Sequence, residues 1–357
     1  MRLGLIGLPS SGKTTIFNAL TGSRLPTGVP HAPGKTEVHT AVADVPDDRL
    51  LALSVLFRPR KTTPAKVTYA DIGGLRARAG REGLPGALLN QLEQMDGFLH
   101  VARAFDDPSV PHPLDGVDPA RDLAAMEAEF VLDDLLTVER RLERLTEERQ
   151  KVMRDRAAVE RDQALFQRLH AVLSEGHPLR SQSFTTEETR LLSGFGLISR
   201  IPVLTLVNLA EGQAMPDLGP GGAGTAVLGL QGKLEMEIAQ LAPEEAQAFL
   251  QEYGIEEPGR RRVIRASYQL LGLLSFFTVG EDEVRAWTLA RGASALDAAD
   301  TIHSDLARGF IRAEVIPAEE LLALGGLAQA RTQGRLRLEG KEYLVADGEV
   351  VHIKFNV

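Results

Sequence analysis

The chain has 357 residues, 43% hydrophobic and 25% charged, enough for two or three ordinary globular domains. It has no cysteine, which excludes disulfides, thiolate catalysis and Cys-ligated zinc, and its net charge of −9 disfavours non-specific nucleic-acid binding. No apolar run is long enough to span a bilayer, and Arg2 is followed by only a short apolar strand, so the sequence predicts neither membrane association nor a signal peptide, and a cytoplasmic protein.

The first predicted element is a buried strand over Leu3-Gly4-Leu5-Ile6. Gly7-Leu8-Pro9-Ser10-Ser11-Gly12-Lys13-Thr14 follows and fits G-x-x-x-x-G-K-[ST], the phosphate-binding loop. A helix then runs from Thr15 to Leu20 and stops at Gly22. Strand, glycine loop and helix together give the pattern its meaning. Backbone N–H groups of the loop point at a phosphate, and the helix N-terminus adds partial positive charge. Pro9, Ser10, Ser11, Gly12, Lys13, Thr14 and Thr15 are the expected nucleotide-binding stretch. Lys13 would reach the β- and γ-phosphates, and the Thr14 hydroxyl would meet Mg²⁺.

The Pro/Gly-rich stretch from Leu25 to Thr36 reads as an irregular loop. In a Ras-like domain the first switch lies here, which makes Thr36 a candidate second hydroxyl for Mg²⁺; an ordinary surface threonine is the other reading. A strand is expected over Val38–Val45, then a helix from Pro46 with acids in its first turn. The β-prone run from Lys66 ends in Asp71-Ile72-Gly73-Gly74, a D-x-x-G. Asp71, at the strand's carboxyl end, can hold Mg²⁺ through water, and Gly74 can offer its N–H to a γ-phosphate. Leu75 occupies the place where many GTPases put the glutamine that orients water, so intrinsic hydrolysis should be slow.

A helix over 88–95 and a buried strand over 98–105 lead into the loop 106–113, at a strand end where open α/β sheets bind ligands. A later strand, Pro202–Val207, delivers Asn208-Leu209-Ala210-Glu211. GTPases carry N-K-x-D here, with the Asp clamping guanine. The missing lysine and the longer carboxylate argue against that clamp. Asn208 could meet adenine instead, whose edge pairs an acceptor N7 with a donor amine. A plain polar turn is the alternative.

Between these parts, Val131, Leu135, Val138, Leu142, Leu145, Val152, Val159 and Phe166 recur at spacings of three, four and seven among charges. This predicts an antiparallel helical hairpin turning near Glu147–Arg156. Arg149, Arg154, Arg156 and Arg161 could touch RNA at its tip or simply form a solvated face. Farther on, helices are expected over 234–250, with a break before Pro243, over 265–274 and over 294–306. Strands are expected over 275–279, 284–289, 336–340, 342–345 and 350–355.

Four blocks of this sequence carry a likeness. GLPSSGKTTIFNALTG, DIGGL, VNLAE, and the C-terminal FFTVGEDEVRAWTLARGASALDAADTIHSDLARGFIRAEVI with LEGKEYLVADGEVVHIKFNV resemble the Obg-like ATPases, the YchF family. The resemblance runs nearly end to end. It implies an α/β P-loop NTPase (Ras-like) domain over residues 1–121 and 193–274, a coiled-coil insertion over 122–192, and an α+β TGS (β-grasp-like) domain over 275–357. It implies an ATPase that tolerates GTP, takes Mg²⁺ and leaves room for K⁺. The partner it implies is the ribosome, as large subunit or 70S particle, met through the TGS and coiled-coil domains, with no specific DNA partner. It places Asn208 and Leu209 at the adenine, Lys13, Thr14, Asp71 and Gly74 at the phosphates, metal and switch, and His112 where the family has a mobile histidine proposed to position the attacking water. A surface-loop histidine is the other reading of His112. A GTPase of the same fold, or a nucleotide-gated binding protein with negligible turnover, are the rival functions. Ser10-Ser11 stands where the family usually has Asn-Val, and a cysteine common in the family is missing, so thiol-based control cannot operate.

Overall fold

The computed structural model describes all residues except 29–37, 74–83, 115, 152–155, 219–225 and 357. Thr36, Gly74 and Leu75 therefore lie outside the described residues, as do Val152 and Arg154. The chain runs β1 (Arg2–Ile6), α1 (Lys13–Thr21), β2 (Val38–Asp44), α2 (Asp48–Phe57), β3 (Lys61–Thr63), β4 (Lys66–Ile72), α3 (Gly86–Leu92), β5 (Gly97–Arg103), α4 (Pro119–Lys151), α5 (Arg156–Ser174) and α6 (Thr186–Leu192). It continues β6 (Val203–Asn208), β7 (Val227–Leu230), α7 (Gly232–Gln240), α8 (Pro243–Glu252), α9 (Gly259–Leu270), β8 (Leu273–Val279), β9 (Glu283–Ala290), α10 (Ala295–Ile302), α11 (Ser304–Arg308), β10 (Phe310–Pro317), α12 (Ala318–Leu324), α13 (Leu327–Thr332), β11 (Arg337–Glu339) and β12 (Glu349–Phe355). Among the described residues, no helix is long and apolar enough to cross a membrane.

Two compact units form. The first comprises Met1–Ala41 and Thr68–Val263. Its sheet has the order β2-β4-β1-β5-β6-β7, and β1 pairs parallel with both β4 and β5, as β6 does with β5 and β7. The register sets Leu5 beside Asp71, Ile6 beside His100 and Arg103 beside Asn208. Asp71, Arg103 and Asn208 lie at carboxyl ends of strands, where a doubly wound sheet gathers its ligand groups. Fully buried Ile6, Ile72 and Phe98 form the core beneath them, and Phe130 of α4 packs on Phe98 with ring centroids 5.8 Å apart.

The helical insertion is a pair, α4 and α5. Val131, Val138 and Leu145 of α4 pack on Leu165, Phe166, Leu169 and Leu173 of α5, so the apolar stripe read from the sequence is the seam. The middle of α4 is pinned by Asp134, which is fully buried. Its carboxylate accepts from Ile198 N–H at 2.8 Å, Ser199 N–H at 2.8 Å and the Ser199 hydroxyl at 2.5 Å, and burial pushes it up to about 7.

The second unit joins Val42–Val67 to Ile264–Val357. Its sheet has the order β11-β10-β12-β8-β9-β3. Residues 42–67, expected with the nucleotide domain, pack with the C-terminal segment for two reasons invisible to local patterning. β3 pairs parallel with β9, Lys61 beside Glu283. Arg49 of α2 bonds both Asp47 and Asp347 at 2.8 Å and lies 5.5 Å from the Phe277 ring centroid. Several other expectations change. Residues 342–345 form no strand; Ala295 N–H donates to Tyr343 O and Val345 N–H to Ala293 O, giving only an isolated bridge at Leu344. The helix expected over 265–274 begins at Gly259, because the buried Glu235 carboxylate caps the N–H groups of Gly259 and Arg260, and its last residues enter β8. The helix over 294–306 breaks at His303, whose φ of −166° is extended.

Replacing Asp134 by alanine leaves two backbone N–H groups and a hydroxyl without their acceptor. Asp134→Ala should cost the first unit about 2–4 kcal/mol, read as a lowered midpoint in denaturant unfolding.

Candidate functional site

The phosphate loop leaves β1 through Gly7, with φ 144°, where an added Cβ would stand 2.3 Å from Val101 O. Gly12 ends the loop at φ 89°, where an added Cβ would stand 2.1 Å from Asn208 Nδ2. Only glycine fits either place. Between them Ser10 also has positive φ, 63°, and is exposed, while Pro9 is half-buried. Gly12 precedes α1 with no side-chain cap, so the first N–H groups of the helix, beside half-buried Thr14 and Thr15, are left for an anion. The Ser11 hydroxyl is buried with no partner among the described residues.

Lys13 is buried and folds back over the loop, donating from Nζ to Gly7 O and Leu8 O, both at 2.9 Å. Burial lowers its ammonium to about 8, and the neighbouring Asp71 charge opposes that shift. The Thr14 hydroxyl donates to Asp71 Oδ2 at 2.6 Å. Asp71 is 2% exposed, and its other oxygen, Oδ1, has no hydrogen-bond partner among the described residues. A hydroxyl and a half-satisfied buried carboxylate beside the phosphate loop are hard oxygen donors suited to Mg²⁺ with phosphate and water completing its shell. No group of three or more His, Cys, Asp or Glu able to hold a metal occurs among the described residues.

Asn208, 3% exposed, joins three segments. Its amide donates to Ser11 O at 3.0 Å and accepts from Gly232 N–H at 3.2 Å, and its backbone carbonyl accepts from Ala104 and Phe105 N–H. One N–H and one acceptor site of the amide remain. Leu209 is half-buried, anchored by its N–H to Leu230 O at 2.9 Å, and Glu211 is exposed. Lys13, Thr14, Asp71 and Asn208 thus converge on one loop.

His112 is engaged elsewhere. Its Nδ1 lies 2.7 Å from Leu114 O and its Nε2 lies 2.8 Å from Asp122 Oδ2, in the first turn of α4, and its side chain is 7% exposed. The free histidine expected from the sequence is instead held against the root of the helical arm. Two neighbours carry no motif in the sequence. Phe105 has its ring edge 3.7 Å from where a Cβ of Gly12 would stand. His100, deep in β5, is pushed down to about 3 by burial, helped by the Arg180 and Lys13 charges, and stays neutral. An aromatic just ahead of the 106–113 loop is the signal that could mark Phe105.

Comparison with known proteins places this geometry. A family model for the C-terminal part of YchF GTPases, described as a protein of unknown function, matches residues 273–356, and one described as a 50S ribosome-binding GTPase matches residues 2–155. The ribosome-binding ATPase YchF of Bacillus subtilis is 40% identical over 367 residues, covering 99% of each chain. The chain belongs to the YchF family. The Haemophilus influenzae YchF, also named a ribosome-binding ATPase, is 38% identical over 100% of this chain and 99% of its own. A solved structure described as that of the Schizosaccharomyces pombe YchF GTPase superposes with a TM-score of 0.85 at 29% identity, over 99% of this chain and 97% of that one.

The depressed Lys13 sets a pH dependence. Phosphate oxygens favour the protonated ammonium, so binding takes up a proton above about pH 8, and affinity must fall as pH rises. Calorimetry should find a nucleoside triphosphate bound about tenfold more weakly at pH 9 than at pH 7.

Proposed function

We propose that this YchF-family chain is a Mg²⁺-dependent ATPase that alternates between ATP and ADP states and acts on the ribosome. The names of its relatives support both halves of that reading. The observation that carries the adenine preference is the Asn208 amide. One donor and one acceptor remain on it after Ser11 and Gly232 are served. Adenine offers there an acceptor N7 and a donor amine. Guanine offers two acceptors, N7 and O6, which would set an oxygen against Oδ1. Leu209 and the Phe105 ring supply apolar surface for the base.

At the phosphates, the Lys13 ammonium exchanges two neutral carbonyl acceptors for anionic oxygens, and charge-assisted bonds of that kind are stronger. Backbone N–H groups of Ser10 and of Gly12 to Thr15 line the rest of the cup. The Thr14 hydroxyl oxygen and Asp71 would hold Mg²⁺, with Thr36 a further candidate, and Gly74 would sense the γ-phosphate. When bound, Mg²⁺ neutralises charge building on the transferred phosphoryl group. His112 must leave Asp122 before it can position water. The ribosome, through its large subunit or as the 70S particle, would be met by the helical arm and the C-terminal TGS-like unit, which puts the protein in the cytoplasm. K⁺ enters as a second cation if hydrolysis runs faster in K⁺ than in Na⁺.

A GTPase reading has its own support in the name given to the fission-yeast relative and in the family model for the first part of the chain. Calorimetry with ATP, ADP, GTP and GDP separates the two: ATP should bind more tightly than GTP, and the reverse order would replace ATPase by GTPase. Lys13→Ala should lower phosphate release about a hundredfold, and equal release by both proteins would remove the loop from the chemistry. His112→Ala should slow turnover while leaving ATP affinity unchanged.

A further inference from the structure

Arg103 is the last residue of β5 and is 2% exposed, among the largest fully buried side chains of the molecule. A buried guanidinium ordinarily pairs with a carboxylate. Here its partners are backbone carbonyls of the loop that follows. Nε donates to Phe105 O at 3.1 Å, Nη1 to Val110 O at 2.9 Å and Nη2 to Asp107 O at 3.3 Å. The guanidinium also lies 4.5 Å from the centroid of the Phe105 ring. On the strand side, Arg103 is in register with Asn208, and Phe105 N–H donates to Asn208 O at 3.2 Å. The ring edge reaches 3.7 Å from the Cβ position of Gly12.

We propose that Arg103 is a positioning residue for recognition of the base: its guanidinium fork shapes residues 105–110 and sets the Phe105 ring beside the phosphate loop and Asn208. The inference rests on the reading that an adenine lies against Asn208 and Phe105. Three donors in a rigid plane are needed for this, together with a flat face for the ring. Lysine keeps the charge and approximate length but provides neither the fork nor the plane. Arg103 therefore governs how tightly the base is held and leaves the hold on the phosphates alone, because Lys13, Thr14 and the loop N–H groups make no bond to it.

The test compares Mg-ATP with Mg-tripolyphosphate, which has the phosphates and no base. Binding of each is measured by calorimetry to the full-length wild type, Arg103→Lys and Phe105→Ala, alongside the melting temperature of each unliganded protein. Arg103→Lys should weaken ATP by about tenfold or more, the range of one base–aromatic stack, while tripolyphosphate changes less than about twofold and the melting temperature, lowered by the lost fork, stays above the temperature of the titration. Equal weakening of both probes, unchanged ATP binding, or an Arg103→Lys protein that does not fold would each overturn the proposal, since each makes Arg103 a general structural support or no support at all. Failure of the underlying reading looks different. Tripolyphosphate would then bind wild type as tightly as ATP, or Phe105→Ala would lose no ATP affinity, and the proposal would fall with it.

Discussion

The amide of Asn208 holds the phosphate loop to the rest of the first unit. It grips the Ser11 carbonyl on one side and the Gly232 N–H at the start of α7 on the other, while its own carbonyl receives the chain as it leaves β5. Gly12 passes so close under Nδ2 that no side chain fits. The glycine that the phosphate motif demands for access to a ligand is thus also demanded by an asparagine on a strand far along the chain. Each constraint reinforces the other, and together they place the start of α1, the end of β5 and the start of α7 around one small volume.

Charge inside that volume is balanced before any ligand arrives. Lys13 lies on the loop's own carbonyls, and Thr14 occupies one oxygen of Asp71. These are modest neutral or singly charged bonds, each of which a polyphosphate and a divalent cation can replace with stronger ones. Among the described residues, the buried side-chain atoms there that have no partner at all include the second oxygen of Asp71 and the hydroxyl of Ser11. The carboxylate oxygen fits a metal-bound water. The serine hydroxyl stands where an apolar side chain would raise no hydrogen-bonding demand.

Much of this is legible in the sequence because it rests on local rules. The phosphate loop needs consecutive residues with fixed backbone demands, the parallel strands are short apolar runs, and the helical seam is a periodic stripe in which Val131, Val138, Leu145 and Phe166 are all buried. Illegible features are those made by pairs far apart in the chain. β3 is three residues long and exists through β9. β10, beside the edge strand β11 of the C-terminal sheet, is missing from the expected strands although buried Ala313, Val315 and Ile316 mark it. The start of α9 depends on Glu235, distant in sequence. In the site, motif spacing alone points to Lys13, Thr14, Asp71 and Asn208. His112 can be placed on its loop from the sequence, yet its capture by Asp122 depends on where α4 begins, and the Arg103 fork leaves no motif because carbonyls have no sequence identity.

The length of α4 carries a mechanical consequence. At 33 residues it measures about 50 Å. Its first turn holds the His112 ring through Asp122, and a little farther along Asp134 pins it to Ser199. The part of α4 beyond Asp134 runs about 26 Å, so a tilt of about 5° about that pin sweeps the far end through about 2 Å. Force applied out there would reach the histidine through an inner arm of about 18 Å, from Asp134 back to Asp122, with a leverage only slightly above one.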